Sequence, residues 1–581
     1  MVLSSDATSP TLLILESCLT ALTVVISFAW PGIGHNSFLR MERWFSQLAR
    51  RRWLAVISVG LSVLVLRLAI LGLFPVPLPF STDDFSFMLA GDTFAHGRLS
   101  NPTPAMWTHF ETIHITMKPT YQSMYFPGQG LILAAGKVVF GNSWIGLLIV
   151  SALMCAVLCW MLQAWLPANW ALLGGMIAVV RLGVFSYWTN TYHAGGSLAA
   201  LGGALVLGAL PRLMRTARLR YAALMGSGIA ILVLTRPYEG LLLCLPVGVV
   251  LTNWMWKGKR RPSFGAMARL ALVPFAFGIG AIAWMGYYDY RAFGSPLTPP
   301  YTIDRQTYAI APYYVWQHER PEPNYRYAEM RAFYRGEVNF YSHIHSLKGF
   351  LPYSLIKVGF TFLFYASFLL IPPLLMVRRV FLDRRVRFLV VCVLVLAGGM
   401  AIEIYLLPHY VAPFTAAFYA IGLQAMRHLR FWKPEGRPMG LALVRLTVVA
   451  CALMAGVRVI AKPLHFGPNP FPASNWNEVW FGPGHFGEER AQIEVRLGQL
   501  PGGQLAIVRY SSDHNPGNEW VYNCADIDDS KVVWARDAGA RDNLELIRYY
   551  PNRKVWLVEP DKIPAQVSPY PLPGNAAHPR E

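Results

Sequence analysis

Two adjacent carboxylates, Asp83 and Asp84, close the run Ser81-Thr82-Asp83-Asp84 immediately after a long apolar stretch. A carboxylate placed there can take the proton of an attacking hydroxyl as a general base. The same four residues can also open a helix, with Ser81 or Asp83 accepting backbone N–H bonds as the N-cap. The two uses suit different members of the pair; Asp83 is the first choice for the base and Asp84 the second. If Phe85 to Phe94 is helical, Asp84, Met88 and Asp92 share one stripe, which lets Asp92 support the base. His109, Glu111 and His114 follow in Trp107-Thr108-His109-Phe110-Glu111-Thr112-Ile113-His114. After a bend they can hold a divalent cation, although they lack the His-Glu-x-x-His spacing that puts both imidazoles on one helical face. A hydrogen-bonded sugar or phosphate site is the favoured use, so a divalent metal is a possible cofactor and no other is implied.

Further polar groups sit where the chain turns between apolar runs. Lys118 can contact a phosphate or simply snorkel. Tyr125 lies in Tyr125-Phe126-Pro127-Gly128, and Tyr192 and His193 end Trp188-Thr189-Asn190-Thr191-Tyr192-His193. Arg236 and Glu239 share Thr235-Arg236-Pro237-Tyr238-Glu239, and His409 lies in Tyr405-Leu406-Leu407-Pro408-His409-Tyr410. A guanidinium between two apolar runs is costly unless it meets an anion, and its fork matches phosphate geometry. Arg236 therefore pairs with a phosphate or with Glu239.

The elements that must position these groups are membrane helices. Hydrophobic residues make up 54% of the 581, and the apolar runs reach the ~18 residues needed to cross hydrocarbon as helix. Candidate spans are 11–31, 53–73, 142–161, 169–187, 194–211, 221–236, 239–256, 270–288, 351–376, 388–407, 409–426 and 440–460. They predict an all-α polytopic membrane protein of about 11 to 13 transmembrane helices. The net charge of +19 would suggest nucleic acid in a soluble chain. Here the arginines crowd alternate connections, from Arg40, Arg43 and Arg50-Arg51-Arg52 to Arg427, Arg430 and Arg437. Positive-inside counting puts that set in the cytoplasm, and the loops 74–141 and 289–350 and the tail across the membrane. The first run lacks the basic n-region of a cleavable signal and reads as a retained anchor. Six of the seven cysteines lie in or near apolar runs and read as core or lipid-facing residues.

Residues 1–52 thus form an anchor helix with an arginine-rich linker, 53–460 the transmembrane domain, and 461–581 an outer domain. Within the tail, 505–510, 531–535 and 554–558 read as strands and Asp542 to Tyr550 as an amphipathic helix, a small α/β unit. Its Asp526, Asp528 and Asp529 read as a solvated turn, and Pro560 to Glu581 as extended or disordered. The tail braces the outer loops in this reading.

An outward acidic pair, a long first outer loop returning through a proline-containing aromatic turn, many further spans and a terminal outer domain resemble the GT-C membrane glycosyltransferases. The branch most resembled contains the protein O-mannosyltransferases and lipid A aminoarabinose transferases (glycosyltransferase family 39-like). That resemblance implies that the first-loop acid, here Asp83, is catalytic, and that the donor is a sugar on a polyprenyl phosphate. Asp84 takes a position where such proteins more often have Glu, Gly128 stands for a second proline, and the span 11–31 precedes the usual start. The implied activity is an inverting transfer to an extracytoplasmic envelope lipid or glycan, at a bacterial cytoplasmic (inner) membrane. Membrane lipids are partners, and nucleic acid is not. The alternatives are a transporter or flippase of a lipid-linked substrate and a non-catalytic envelope-assembly protein. Arg181 and Glu403 are the main intramembrane charges available to a transporter.

Overall fold

A computed structural model describes residues 10–193, 195–257, 262–461, 480 and 487–571. Each apolar run winds into helix, and eight helices are long and apolar enough to cross a membrane: Leu12–Ala29, Arg52–Ala69, Ser143–Trp165, Gly196–Thr216, Pro237–Lys257, Phe264–Phe293, Leu347–Tyr365 and Met439–Ile460. A bent pair, Phe368–Leu382 and Arg387–Ile402, makes a ninth if counted as one span, with 106° between its halves. The chain is a polytopic helical membrane protein with eight to nine such spans among the described residues, and two shorter apolar helices, Ala168–Val184 and Leu219–Thr235, besides, against the 11 to 13 helices expected. Local chemistry shortens the others. The run from Ala168 leaves α-helix geometry for a π-turn at Val179–Val184. The run after Leu347 stops at Tyr365, before Ser367 at φ 56° and the Pro372-Pro373 pair. Pro408 and Pro413 delay the next helix to Thr415–Leu429.

The arginine-rich connections gather at one end of the bundle. Gln163 donates to the Arg52 carbonyl at 3.0 Å, and Arg212 and Arg215 donate to the carbonyls of Trp160 and Ala164. The linker there is itself a helix, His35–Arg50, with Ala49 buried and Phe45 and Leu48 packed on the core.

At the other end the first loop folds as a helix, Thr82–Ala95, and three short strands, β1 (Asn101–Pro102), β2 (Ile115–Thr116) and β3 (Thr120–Ser123), in the order β1-β3-β2. The tail forms a four-stranded sheet from β4 (Gly503–Val508), β5 (Val532–Arg536), β6 (Arg553–Glu559) and β7 (Gln566–Pro569), ordered β5-β4-β6-β7. The central pairings are parallel, and the Ala540–Tyr549 helix supplies the crossover between β5 and β6. Part of the proline-rich end is extended, as expected, and is also paired: Gln566–Pro569 runs antiparallel to β6, its Pro569 at the strand's end, where no ladder donor is needed. Residues 572–581 lie outside the described residues.

This tail shares its core with the first loop. Leu505, Ile507 and Tyr522 pack with Phe85, Phe110, Ile115 and Tyr121, and the rings of Phe85 and Tyr522 stack at 4.4 Å. Asp526 takes two 2.7 Å bonds from Arg98, and Asp528 accepts from Tyr549 and Tyr550. Asp526 is thus a docking group, held by a guanidinium from the first loop, whereas Asp528 and Asp529 sit exposed on the expected turn, Asp528 bonding within the tail.

Candidate active site

The Thr82–Ala95 helix begins with a capping box that separates the two acids by function. Ser81 accepts the Asp84 N–H at 3.1 Å, while Asp84 reaches back to the N–H groups of Ser81 and Phe80, both at 3.3 Å. Its other oxygen accepts the Tyr192 N–H at 2.9 Å. Asp84 has no solvent exposure, and burial raises its carboxyl even though His193 and these N–H groups pull the other way. Asp84 is therefore a structural cap that ties the helix to the 188–193 turn.

Asp83, one residue earlier, meets a different set of partners, with its side chain 17% exposed. Oδ1 lies 2.9 Å from His114 Nδ1, and Oδ2 lies 3.1 Å from His193 Nδ1. The Tyr125 hydroxyl donates to the same carboxylate and sits 3.2 Å from His114 Nδ1, and the Thr82 hydroxyl sits 3.1 Å from that nitrogen. Burial by itself raises Asp83, but the His193 and His114 imidazoles outweigh it and hold the carboxyl well below its usual range. Burial likewise lowers His114, and Asp83 overcomes it to raise the imidazole.

His114 reaches this position through a left-handed backbone, φ 64°, which costs roughly 1–2 kcal/mol for a residue with a Cβ. Its carbonyl accepts the Ser86 hydroxyl at 2.7 Å and the Met124 N–H at 3.2 Å, and Ser86 also meets Ser123 at 2.8 Å. The turn thus locks between the helix and β3.

His193 stands edge-on to His409, ring centroids 4.8 Å apart. Tyr187 fixes His409, its hydroxyl accepting the His409 N–H at 3.0 Å and lying 2.9 Å from Nδ1. Burial first, then Arg236 and His193, push the His409 imidazole well down, so it is neutral. Arg236 occupies the break between the Leu219–Thr235 and Pro237–Lys257 helices, where Pro237 opens the second helix without needing a donor. Its guanidinium lies 3.6 Å from Glu239 and 4.3 Å over the Tyr410 ring. Tyr301 and Tyr410 are within electrostatic reach of both Arg236 and Asp83, and Tyr301 packs on Tyr125 at 5.4 Å. One wall of phenols therefore connects the carboxylate to the cation.

Other expected site residues lie elsewhere. Asp92 pairs with Lys137 and accepts the Ala525 N–H at 2.8 Å, so it braces the tail and gives Asp83 no support. Two helical turns carry it past the capping box to a different partner. His109 lies 3.2 Å from the Arg536 carbonyl, and Glu111 accepts from the Tyr308 hydroxyl at 2.9 Å, with burial raising its carboxyl. Lys118 is exposed and lies 4.2 Å over the Trp107 ring. The Tyr192 hydroxyl bonds the Pro77 carbonyl at 3.1 Å. The His109-Glu111-His114 metal site is corrected: among the described residues no three His, Cys, Asp or Glu side chains gather to hold an ion. The Trp107–Phe110 helix turns His109 toward the tail, and the left-handed turn sends His114 to Asp83.

Two groups at this site carry no local sequence signal. Tyr187 looks like the end of an apolar run. Asp304 is wholly buried, with both oxygens lacking a hydrogen-bond partner, and its charge acts on His114. Burial raises its carboxyl to about 6, against the pull of His114 and Arg305.

No protein-family model matches the chain, and no curated protein matches it. Among solved structures it is similar to an Archaeoglobus fulgidus oligosaccharyltransferase tethered with an acceptor peptide, at 12% identity, covering 86% of this chain and 68% of that one, TM-score 0.45. It is also similar to ArnT from Cupriavidus metallidurans in the apo state, at 14% identity, covering 86% and 92%, TM-score 0.46. The same enzyme bound to undecaprenyl phosphate gives 13%, 86%, 92% and 0.44.

Proposed function

We propose that this protein is an inverting membrane glycosyltransferase, moving a sugar from a polyprenyl-phosphate donor to an envelope lipid or glycan on the side of the large loops. The observation that carries the reading is the Asp83 carboxylate. It is partly exposed, while Asp84 is sealed, and it is held between His114, His193 and Tyr125. The donor class follows from the resemblance of this acidic loop to the GT-C transferases. The acceptor hydroxyl attacks the anomeric carbon from the face opposite the phosphate, its proton passes to Asp83, and the C1–O bond breaks with its electron pair leaving on the lipid phosphate. Configuration at that carbon inverts.

A carboxylate so stabilised is a weak base, and the chemistry asks for little more. Phosphate leaves as a stable anion, so the transition state needs positioning and charge balance more than a strong nucleophile. Arg236 suits that balance from across the Tyr301 and Tyr410 rings, with Glu239 as its resting partner. The buried charges in the helices favour this reading over transport. Arg181 lies 4.0 Å from Glu16 and donates to the Phe364 and Ala366 carbonyls, so this buried cation is held by the protein's own groups. Mass spectrometry of lipid and glycan extracts from cells lacking the gene tests the reading. One acceptor loses a sugar mass and the polyprenyl-phosphate sugar accumulates; an unchanged glycan and lipid profile rejects it.

A further inference from the structure

At the opposite end of the bundle the His35–Arg50 helix meets the first turn of the Arg52–Ala69 helix in an open crook with room for about 700 Å³. That volume falls in the size class of small-molecule sites, ~300–1,000 Å³. Its walls combine two guanidinium side chains, Arg40 and Arg51, with Met41, Trp44, Phe45 and Leu54. Met41 is 65% and Trp44 79% exposed, large apolar surface that water does not favour. Arg43, Arg50 and Arg52 flank the crook, and none of these five arginines has a carboxylate partner among the described residues. The helix's own acid, Glu42, is taken by Arg445 at 2.8 Å, so no negative charge remains on the helix to offset them.

We propose that this crook is a binding site for one anionic phospholipid, its phosphate on Arg40 and Arg51 and an acyl chain along Met41, Trp44, Phe45 and Leu54. The charge is complementary to a phosphodiester, and Trp and Arg are the side chains that settle at a bilayer interface. The location agrees: Arg52 begins a membrane-spanning helix, so the crook lies at hydrocarbon's edge. A phosphate on a bilayer lipid meets both walls at once, whereas a soluble phosphate leaves the apolar wall in water. The site stands apart from Asp83 and does not depend on the proposed transfer.

The test uses the full-length protein in nanodiscs of equal phosphatidylglycerol and phosphatidylcholine, with retained lipid read by native mass spectrometry on ejection. The unchanged protein keeps one phosphatidylglycerol under conditions that strip phosphatidylcholine. Arg40→Gln with Arg51→Gln weakens that retention about 30-fold. Leu54→Trp, which fills the crook with all charges kept, weakens it as well. Arg378→Gln with Arg379→Gln, an equal charge loss on a different connection, leaves it unchanged. Equal retention of the two lipids, retention surviving either crook variant, or an equal fall in the Arg378 and Arg379 control overturns the site. Inorganic phosphate that competes the lipid away at millimolar concentration overturns the lipid as its occupant.

Discussion

Replacing Asp83 by asparagine separates catalysis from folding in this site. Asparagine keeps the side chain's size and an oxygen to accept the Tyr125 hydroxyl, but it cannot take a proton. The loss of a positioned general base lowers kcat by about 100- to 10,000-fold. The folding cost comes from two contacts, 2.9 Å to His114 and 3.1 Å to His193, at a carboxylate 17% exposed. A hydrogen bond to a charged group contributes roughly 1.5–3 kcal/mol, and the raised His114 pKa marks that contact as favourable. The asparagine oxygen keeps one imidazole contact and loses the charge on the other, so a stability loss of about 1.5–3 kcal/mol is expected, small enough for the protein to be purified. Asp84→Asn behaves differently. It removes a carboxylate that accepts the N–H groups of Phe80, Ser81 and Tyr192, so yield and Tm fall while the folded fraction keeps most of its transfer rate. Transfer rate and polyprenyl-phosphate binding, each measured on both purified variants in nanodiscs, decide the matter. Wild-type transfer by Asp83→Asn, or loss of lipid-phosphate binding equal to its loss of rate, refutes the assignment.

Arg236→Gln raises the donor KM by about 10- to 100-fold, the worth of a charge-assisted phosphate contact; an unchanged KM returns Arg236 to pairing with Glu239. The Asp83–His114 pair also sets a pH window. Asp83's lowered pKa adds stability present above its unfolded value near ~3.9 and lost as pH falls through the folded value. His114's raised pKa adds stability present below ~6.5 and lost as pH rises through its folded value. The stability difference between wild type and Asp83→Asn, read from Tm, is thus largest between about pH 4 and 6.5, and a flat difference contradicts the pairing. Arg536→Ala removes a buried guanidinium that donates to the Glu111 carbonyl at 2.6 Å and pairs with buried Glu519. It destabilises the docked tail by on the order of 3–5 kcal/mol, visible as faster proteolysis of residues 487–571; unchanged protection refutes the brace.

What the sequence revealed was local. The Ser81 cap, the helix after it, and the tail's short apolar strands at 505–510 and 554–558 each depend on neighbours a few residues away. Asp83 and Asp84 are chemically alike in a string. What distinguishes them is that Asp84 meets Tyr192 and Asp83 meets His193, contacts made by a turn far along the chain. His114 was legible as a polar group, but its partner was not, because that depends on a left-handed residue held by Ser86 and Met124. Asp92 shares a helical stripe with Asp84 and still serves the tail, since the stripe says nothing about which domain packs on it. The lengths of the individual helices were not legible for a related reason. Hydropathy sees apolar length, while the π-turn at Val179–Val184 and the prolines near 372, 408 and 413 decide where helices stop.

The central claim is most directly tested by returning purified protein to the lipid extract of cells lacking its gene, which supplies donor and unmodified acceptor together. The prediction is that wild type restores the missing sugar mass with inverted anomeric configuration relative to the donor, and that Asp83→Asn restores none. Retained configuration, or no transfer by the wild-type protein in an extract shown to contain the donor, would contradict it.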